Sequence, residues 1–196
     1  MTFVLASRSP QRIRLLKEAG FCFDCDPADV DESAVPSGMG PEQTAKYLAL
    51  TKAKKTAERH RDTFVLGADT IVALGDHVLG KPADAVDARR MLAALSGTSH
   101  RVITGVALVS AARGCETADH VITTVSMRHL TENEIDAYVA SEQWRDRAGG
   151  YGIQDDDPFV SIAGGSRSNV IGLPMERTFE ILLAAGSPFH IDRCIA

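Results

Sequence analysis

Apolar and polar positions along the chain fall into runs that switch between the two-residue period of a strand and the 3.6-residue period of a helix. Phe3-Val4-Leu5-Ala6 is an uninterrupted apolar run and predicts a short buried strand. From about residue 10 to 19, Ile13, Leu16 and Ala19 share a helical face, Pro10 suits the first turn, and Gly20 is the stop. A second strand is expected over 21–25, ahead of an acidic, Pro-containing loop. Pro41 opens a helix reaching about His60, with Ala45, Leu48, Ala49 and Ala53 on one stripe. VLGADTIVALGDHVLGKP, starting at residue 65, is apolar and β-rich, and Gly75-Asp76 reads as a hairpin turn. Residues 84–95 are predicted helical, with Met91, Leu92 and Leu95 inward and Gly97 just past the end.

Two long β runs follow between 100 and 128, joined at Arg113-Gly114 as a second hairpin. Thr131 caps the next helix, and Glu134 completes a T-x-x-E capping box. Glycines 149, 150 and 152 mark an irregular segment that contains Tyr151 and Gln154. Short strands are expected near 159–162 and 168–171, then a last helix opened by Pro174 and closed by Gly186. Strands and helices alternate, but a long hairpin interrupts them. That order predicts an α/β protein with a mixed sheet flanked by helices, not a uniform βαβ array, and gives no independent boundary within 1–196.

Composition narrows the class of function. In 196 residues, 21 Lys and Arg face 26 Asp and Glu, a formal charge of −5. This mild acidity argues against nonspecific binding to nucleic acid or to an anionic membrane, and 6% aromatic residues leave few stacking platforms for RNA. The 44% apolar and 24% charged fractions are those of a globular chain, excluding disorder and coiled coil. No apolar stretch approaches the roughly 20 residues of a membrane span, and the start MTFVLASRSPQR lacks the features of a signal peptide, so a cytoplasmic protein is expected. Cysteines 22, 25, 115 and 194 are too sparse for a disulfide scaffold. Cys22 and Cys25 form a C-x-x-C, but in a strand-like stretch that would send them to opposite faces, which disfavours a metal or redox pair. Histidines 60, 77, 100, 120, 129 and 190 contain no i, i+4 pair and read as ordinary surface or core residues.

Four features carry candidate chemistry. In LASRSPQR a strand ends at Ala6, Ser9 is placed as an N-cap, and Pro10 starts a helix. The free N–H groups and dipole of such an end attract an anion, with Arg8 and Arg12 beside it; the competing reading is a plain capped helix with solvated arginines. Asp69-Thr70 interrupts an apolar strand, where an ionised carboxylate needs a partner, a metal or an open cleft unless it lies at an edge or turn. Asp29, Asp31 and Glu32 form an acidic loop that either contributes oxygen donors to a hard cation or is merely solvated. Lys52 sits mid-helix and Lys81 in G-K-P directly after a strand. Walker A, Rossmann and nucleophile-elbow motifs are absent from the sequence.

In this order the segments resemble the Maf family of nucleotide pyrophosphatases, whose pattern opens with S-x-S-P-R-R. Ser7-Arg8-Ser9-Pro10-Gln11-Arg12 matches four of its five specified positions. Further matches are Asp31-Glu32, Lys52 in T-K-A-K, Gly67-Ala68-Asp69-Thr70, Gly80-Lys81-Pro82, Leu95-Ser96-Gly97, Ala148 through Gln154, and Asn169 through Pro174. The resemblance implies an elongated α/β fold with a cleft between two lobes, similar to inosine triphosphate pyrophosphatases. It further implies a housecleaning hydrolase that cuts nucleoside triphosphates to a monophosphate and pyrophosphate with Mg²⁺ or Mn²⁺, and pairing as homodimers.

By the same resemblance Asp69 is the catalytic proton acceptor, and Ser7, Arg12, Glu32, Lys52 and Lys81 are charged or polar cleft positions; the chemistry of phosphoanhydride hydrolysis suits Ser7, Arg12, Lys52 and Lys81 to substrate phosphates and Asp69 with Glu32 to the metal. Base choice falls to Gln11, Thr70 and Gln154. The dTTP/UTP branch carries Arg, Thr and Gln there, and the 7-methyl-GTP branch carries Trp at the first; Gln11 departs from both. The competing functional reading is a nucleotide-sensing regulator of cell division without turnover. A sensor, however, has no need for an acidic group poised beside phosphate-binding lysines.

Overall fold

The computed structural model describes residues 2–154 and 159–186, so His190 and Cys194 lie outside the described residues. Its elements are β1 (Phe3–Leu5), α1 (Pro10–Glu18), β2 (Phe23–Cys25), α2 (Pro41–Ala57), β3 (Val65–Leu74), β4 (His77–Leu79), α3 (Ala85–Leu95), β5 (Ser99–Ser110), β6 (Cys115–Met127), α4 (Glu132–Ala140), β7 (Val160–Gly164), α5 (Arg167–Ile171) and α6 (Met175–Ala184). Seven strands form a mixed sheet ordered β2-β1-β3-β5-β6-β7, with β4 added on β3. β1 runs parallel to both β2 and β3, and every other pairing is antiparallel. Both expected hairpins form, and Thr131 and Glu134 complete their capping box. No helix among the described residues is long and apolar enough to cross a membrane.

Alternation along β3 and β5 sends odd- and even-numbered residues to opposite faces of the sheet. The odd face carries Gly67, Asp69, Ile71, Ile103 and Gly105 and is covered by α2, whose Ala45, Ala49, Ala53 and Ala57 are fully or almost fully buried. The even face splits into two cores. Leu66, Ala68, Val106 and Leu108 pack with Leu16 of α1 and with Ile181 and Leu182 of α6. Val72 and Val102 pack with Met91, Leu92 and Leu95 of α3 and Ile135 of α4. Between the two cores, the even face is polar at Thr70 and Thr104.

One expected element is corrected. The β-branched pair Val170-Ile171 predicts a strand over 168–171, but these residues lie in α5. Gly172, at φ 128°, closes that turn, with the N–H groups of Gly172 and Leu173 both donating to the Ser168 carbonyl at 3.1 and 3.0 Å. The Asn169 side chain donates to the Val102 carbonyl and to Thr123 Oγ1, so contacts with the sheet override local β preference. The preceding strand is β7, displaced slightly from the expected 159–162.

Candidate active site

The site arises from a gap in the strand pairing. β1 pairs with β3 only at Val65 and Leu66, and β4 pairs with it only from Val72 onward. Residues 67–71 are therefore left open along that edge while β5 pairs the other. Asp69 and Thr70 stand in this opening, with Asp69 directly opposite Gly105 and Thr70 opposite Thr104. Asp69 is not in a turn: it is a buried mid-strand aspartate, paired with β5 on one side and open on the other. The opening is the floor of a cleft of about 1020 Å³ lined by the Ser7–Arg12 corner, the loop after β2, α2, β3 and the segment around residues 146–154.

The Ser7–Arg12 corner closes one end of the opening. Ser9 caps α1, its Oγ accepting from the Arg12 N–H at 3.5 Å, and Ser7 Oγ accepts from the Ser9 N–H at 3.2 Å. Arg12 is not a solvated arginine. Its guanidinium folds back over the strand end, donating to the Gly172 carbonyl at 2.8 Å, to Ser7 Oγ at 3.2 Å and to Thr70 Oγ1 at 3.0 Å. Burial lowers its pKa, and the charges of Asp69 and Glu32 oppose that shift. A guanidinium starts so far above neutrality that it stays charged. Arg8 lines the cleft as an exposed residue.

Lys52 carries the electrostatics of the floor. It projects from the buried side of α2, and its Nζ donates to Asp69 Oδ1 at 2.5 Å and to Glu32 Oε1 at 2.6 Å. Asp69 and Lys52 are both over nine-tenths buried, whereas the Glu32 side chain is about half exposed on the loop after β2. Burial pushes the Glu32 carboxyl up, but the Lys52 hydrogen bond and the charges of Lys52, Lys81 and Arg12 outweigh it and hold it below the ordinary range. Lys81 Nζ lies 3.8 Å from the other Glu32 oxygen. Three cations (Arg12, Lys52, Lys81) less two carboxylates (Glu32, Asp69) leave one net positive charge, a setting suited to a polyanion.

The acidic loop divides. Glu32 and Asp29 line the cleft, but Asp31 spends its carboxylate on the N–H and hydroxyl of Ser33 at 2.9 and 2.6 Å, as an Asx turn. Gln11, Thr70 and Gln154 all line the same cleft. Gln11 Oε1 accepts from Ser9 Oγ at 3.0 Å, while the Thr70 hydroxyl is held between Arg12 and Thr104 Oγ1, each at 3.0 Å. Cys25 and Cys115 carry free thiols.

Sequence reading misses the polar seam behind these residues. Thr104 Oγ1 bonds the Asn169 carbonyl at 3.0 Å, and Asn169 in turn clamps β5 and β6, so the Gly172 carbonyl that Arg12 grips is tied to the sheet. The signal available in the sequence is a second threonine inside an apolar β run, as Thr70 is in its own. A second missed pair is His100 and Tyr151, whose ring nitrogen and hydroxyl approach to 2.5 Å. Burial pushes the imidazole down to about 4 and the phenol up, so both are neutral, and Tyr151 forms part of the cleft wall beside Gln154.

No group of three or more His, Cys, Asp or Glu side chains that could hold a metal gathers among the described residues. Asp69 and Glu32 nevertheless converge on one ammonium, which stands where a small hard cation would find two carboxylate oxygens. Mg²⁺-type ions commonly take one or two carboxylates and complete their shell with phosphate oxygens and water, so the donor set fits such an ion when a phosphate is also present.

The model of the Maf-like protein family matches residues 2–185 of this chain. A dTTP/UTP pyrophosphatase from Moorella thermoacetica is 46% identical over 93% of this chain and 94% of its own. Another from Desulfitobacterium hafniense is 47% identical over 93% and 85%, respectively. Among solved structures, a nucleoside-triphosphatase/dITP/XTP pyrophosphatase from Mycobacterium abscessus superposes with a TM-score of 0.47 at 19% identity, covering 96% of this chain and 100% of its own.

Proposed function

The chain belongs to the Maf-like protein family, and from that premise we propose that it hydrolyses the α–β phosphoanhydride of nucleoside triphosphates, dTTP and UTP foremost, to a monophosphate and pyrophosphate. The observation that carries this reading is Asp69: a buried carboxylate in a stretch of β3 that is paired on one side only, facing a cleft with three cations around it. Phosphoanhydride cleavage needs positive charge on the phosphate oxygens and an oriented water, and little covalent help from the protein. Arg12, Lys52, Lys81 and the N-terminus of α1 supply the charge, Ser7 adds a hydroxyl donor, and Asp69 orients water and accepts its proton at the α-phosphorus. Asp69 and Glu32 would hold the divalent cation, which supplies charge neutralisation on the departing pyrophosphate when bound.

The two relatives described above are named for dTTP and UTP, and Thr70 and Gln154 support the same preference. Gln11 offers a neutral donor and acceptor where that branch has an arginine fork, so the base edge it meets is read differently. The test is to incubate the protein with canonical and 7-methylated triphosphates plus Mg²⁺ or Mn²⁺ and identify the products. Pyrophosphate and monophosphate, released fastest from dTTP and UTP, are the expected result. Fastest release from 7-methyl-GTP would overturn the base assignment, orthophosphate with diphosphate would overturn the bond assignment, and binding without turnover would return the sensor reading.

Arg12→Lys is expected to lower kcat/KM by about 10- to 100-fold, because one ammonium cannot span Ser7, Thr70 and the Gly172 carbonyl as the fork does. Steady-state pyrophosphate release measures it, and an unchanged kcat/KM would show that charge alone suffices at this position.

A further inference from the structure

Resting on the reading above, we propose that Lys52 is an internal placeholder cation: its ammonium fills the divalent-metal position between Glu32 and Asp69 until a triphosphate draws it away, so that metal binds tightly only with the nucleotide.

The placement comes first. Lys52 Nζ is 2.5 Å from Asp69 Oδ1 and 2.6 Å from Glu32 Oε1, so the two carboxylates assigned to the metal are already joined through one cation. The Lys52 side chain is 10% exposed, Asp69 8% and Glu32 45%, so the contact with Asp69 is shielded from water and that with Glu32 is reachable from the cleft. Two of the three ammonium N–H bonds are committed to these contacts. A metal entering alone has to displace the ammonium from both carboxylates, and separating a buried charge from its partners is costly.

Charge balance points the same way. With Arg12 and Lys81 also facing the carboxylates, the cluster is already one unit positive, and a lone divalent ion would raise that excess to three. A triphosphate reverses the balance. Its oxygens accept the displaced Lys52 ammonium and supply the metal with the ligands that two carboxylates cannot. The nucleotide and the cation are then coupled ligands, each raising the other's affinity by the same factor.

The assignment is tested by Mn²⁺ binding, followed by electron paramagnetic resonance and by titration calorimetry, with and without a nucleotide bearing a non-hydrolysable α–β bridge. Wild type is expected to bind Mn²⁺ weakly alone and on the order of 5- to 150-fold more tightly with the analogue, the ordinary range of coupling between sites. Lys52→Met is expected to bind Mn²⁺ alone more tightly than wild type, and Lys52→Gln, which keeps a hydrogen-bonding head, serves if the Met variant fails to fold by circular dichroism. Wild type binding Mn²⁺ equally well with and without the analogue, after correction for the analogue's own affinity, would overturn the placeholder role. So would a folded Lys52 variant no tighter than wild type. Asp69→Asn distinguishes the underlying reading: if it takes up Mn²⁺ with the analogue as wild type does, the metal assignment itself is wrong, whatever Lys52 does.

Discussion

Asp69→Asn is expected to lower kcat by about 10²- to 10⁴-fold, the range set by removing a general base, while the folded state survives. The substitution preserves shape and removes one charge. Lys52 keeps Glu32 at 2.6 Å, so the ammonium is not left without a counter-charge and the destabilisation stays below the roughly 3–5 kcal/mol of an orphaned buried ion. The cleft also becomes one unit more positive, because the tally moves from three cations against two carboxylates to three against one. That added positive charge favours the anionic nucleotide while the lost metal ligand disfavours it, so the effect on KM is small beside the collapse of kcat. Steady-state pyrophosphate release, paired with a thermal melt, separates the outcomes. A near-normal kcat would remove Asp69 from the chemistry, and a raised KM at normal kcat would make it a binding group only.

Residues whose role depends on their own neighbourhood in the chain are legible from the sequence. Pro10 after Ser9 signals a capped helix end, Gly75-Asp76 and Arg113-Gly114 signal hairpins, and an aspartate amid apolar β residues signals an unusual environment. Contacts at long sequence separation are not legible from periodicity. Lys52 reads as helix decoration from its own segment, because nothing in T-K-A-K says which strand lies beneath it once α2 is laid on the sheet. Val170-Ile171 reads as a strand because the hydrogen bonds of Asn169 to Val102 and Thr123, which hold a helical turn there, come from β5 and β6. Arg12 can be placed near the α1 terminus, but its grip on Gly172, 160 residues away, requires the fold. The family pattern supplies the grouping of these residues, and the structure supplies the reason that they meet: β1 stops short, β4 starts late, and β3 is left open between them.

Gly105→Ala is expected to be strongly damaging for so small a substitution. A Cβ at Gly105 would stand 2.1 Å from the Ala45 carbonyl oxygen and 2.4 Å from its carbon, both backbone atoms of α2. Neither can swing aside as a side chain could, so the helix must lift or the strand must bend. Overpacking of this kind costs about 1–3 kcal/mol and sometimes more, and a backbone clash belongs at the upper end. For a chain of this size about 3 kcal/mol lowers Tm by roughly 6–12 °C. The consequence reaches the chemistry because Gly105 is the register partner of Asp69 and α2 carries Lys52. Lifting α2 would draw the ammonium off the carboxylate, and a misplacement of about 1 Å can cost on the order of 10²-fold in rate. Gly67, whose Cβ would meet the Ala49 carbonyl oxygen at 2.3 Å, should behave alike, since both glycines let the alanine stripe of α2 settle on the sheet. Gly164 on β7 has open space around an added Cβ, so Gly164→Ala is the control and is expected to melt with the wild type. Melting curves and kcat measured well below Tm test the argument in two parts. A Gly105→Ala protein that melts with the wild type would refute the close approach of α2, and one that melts early yet keeps full kcat would separate that approach from the placement of Lys52.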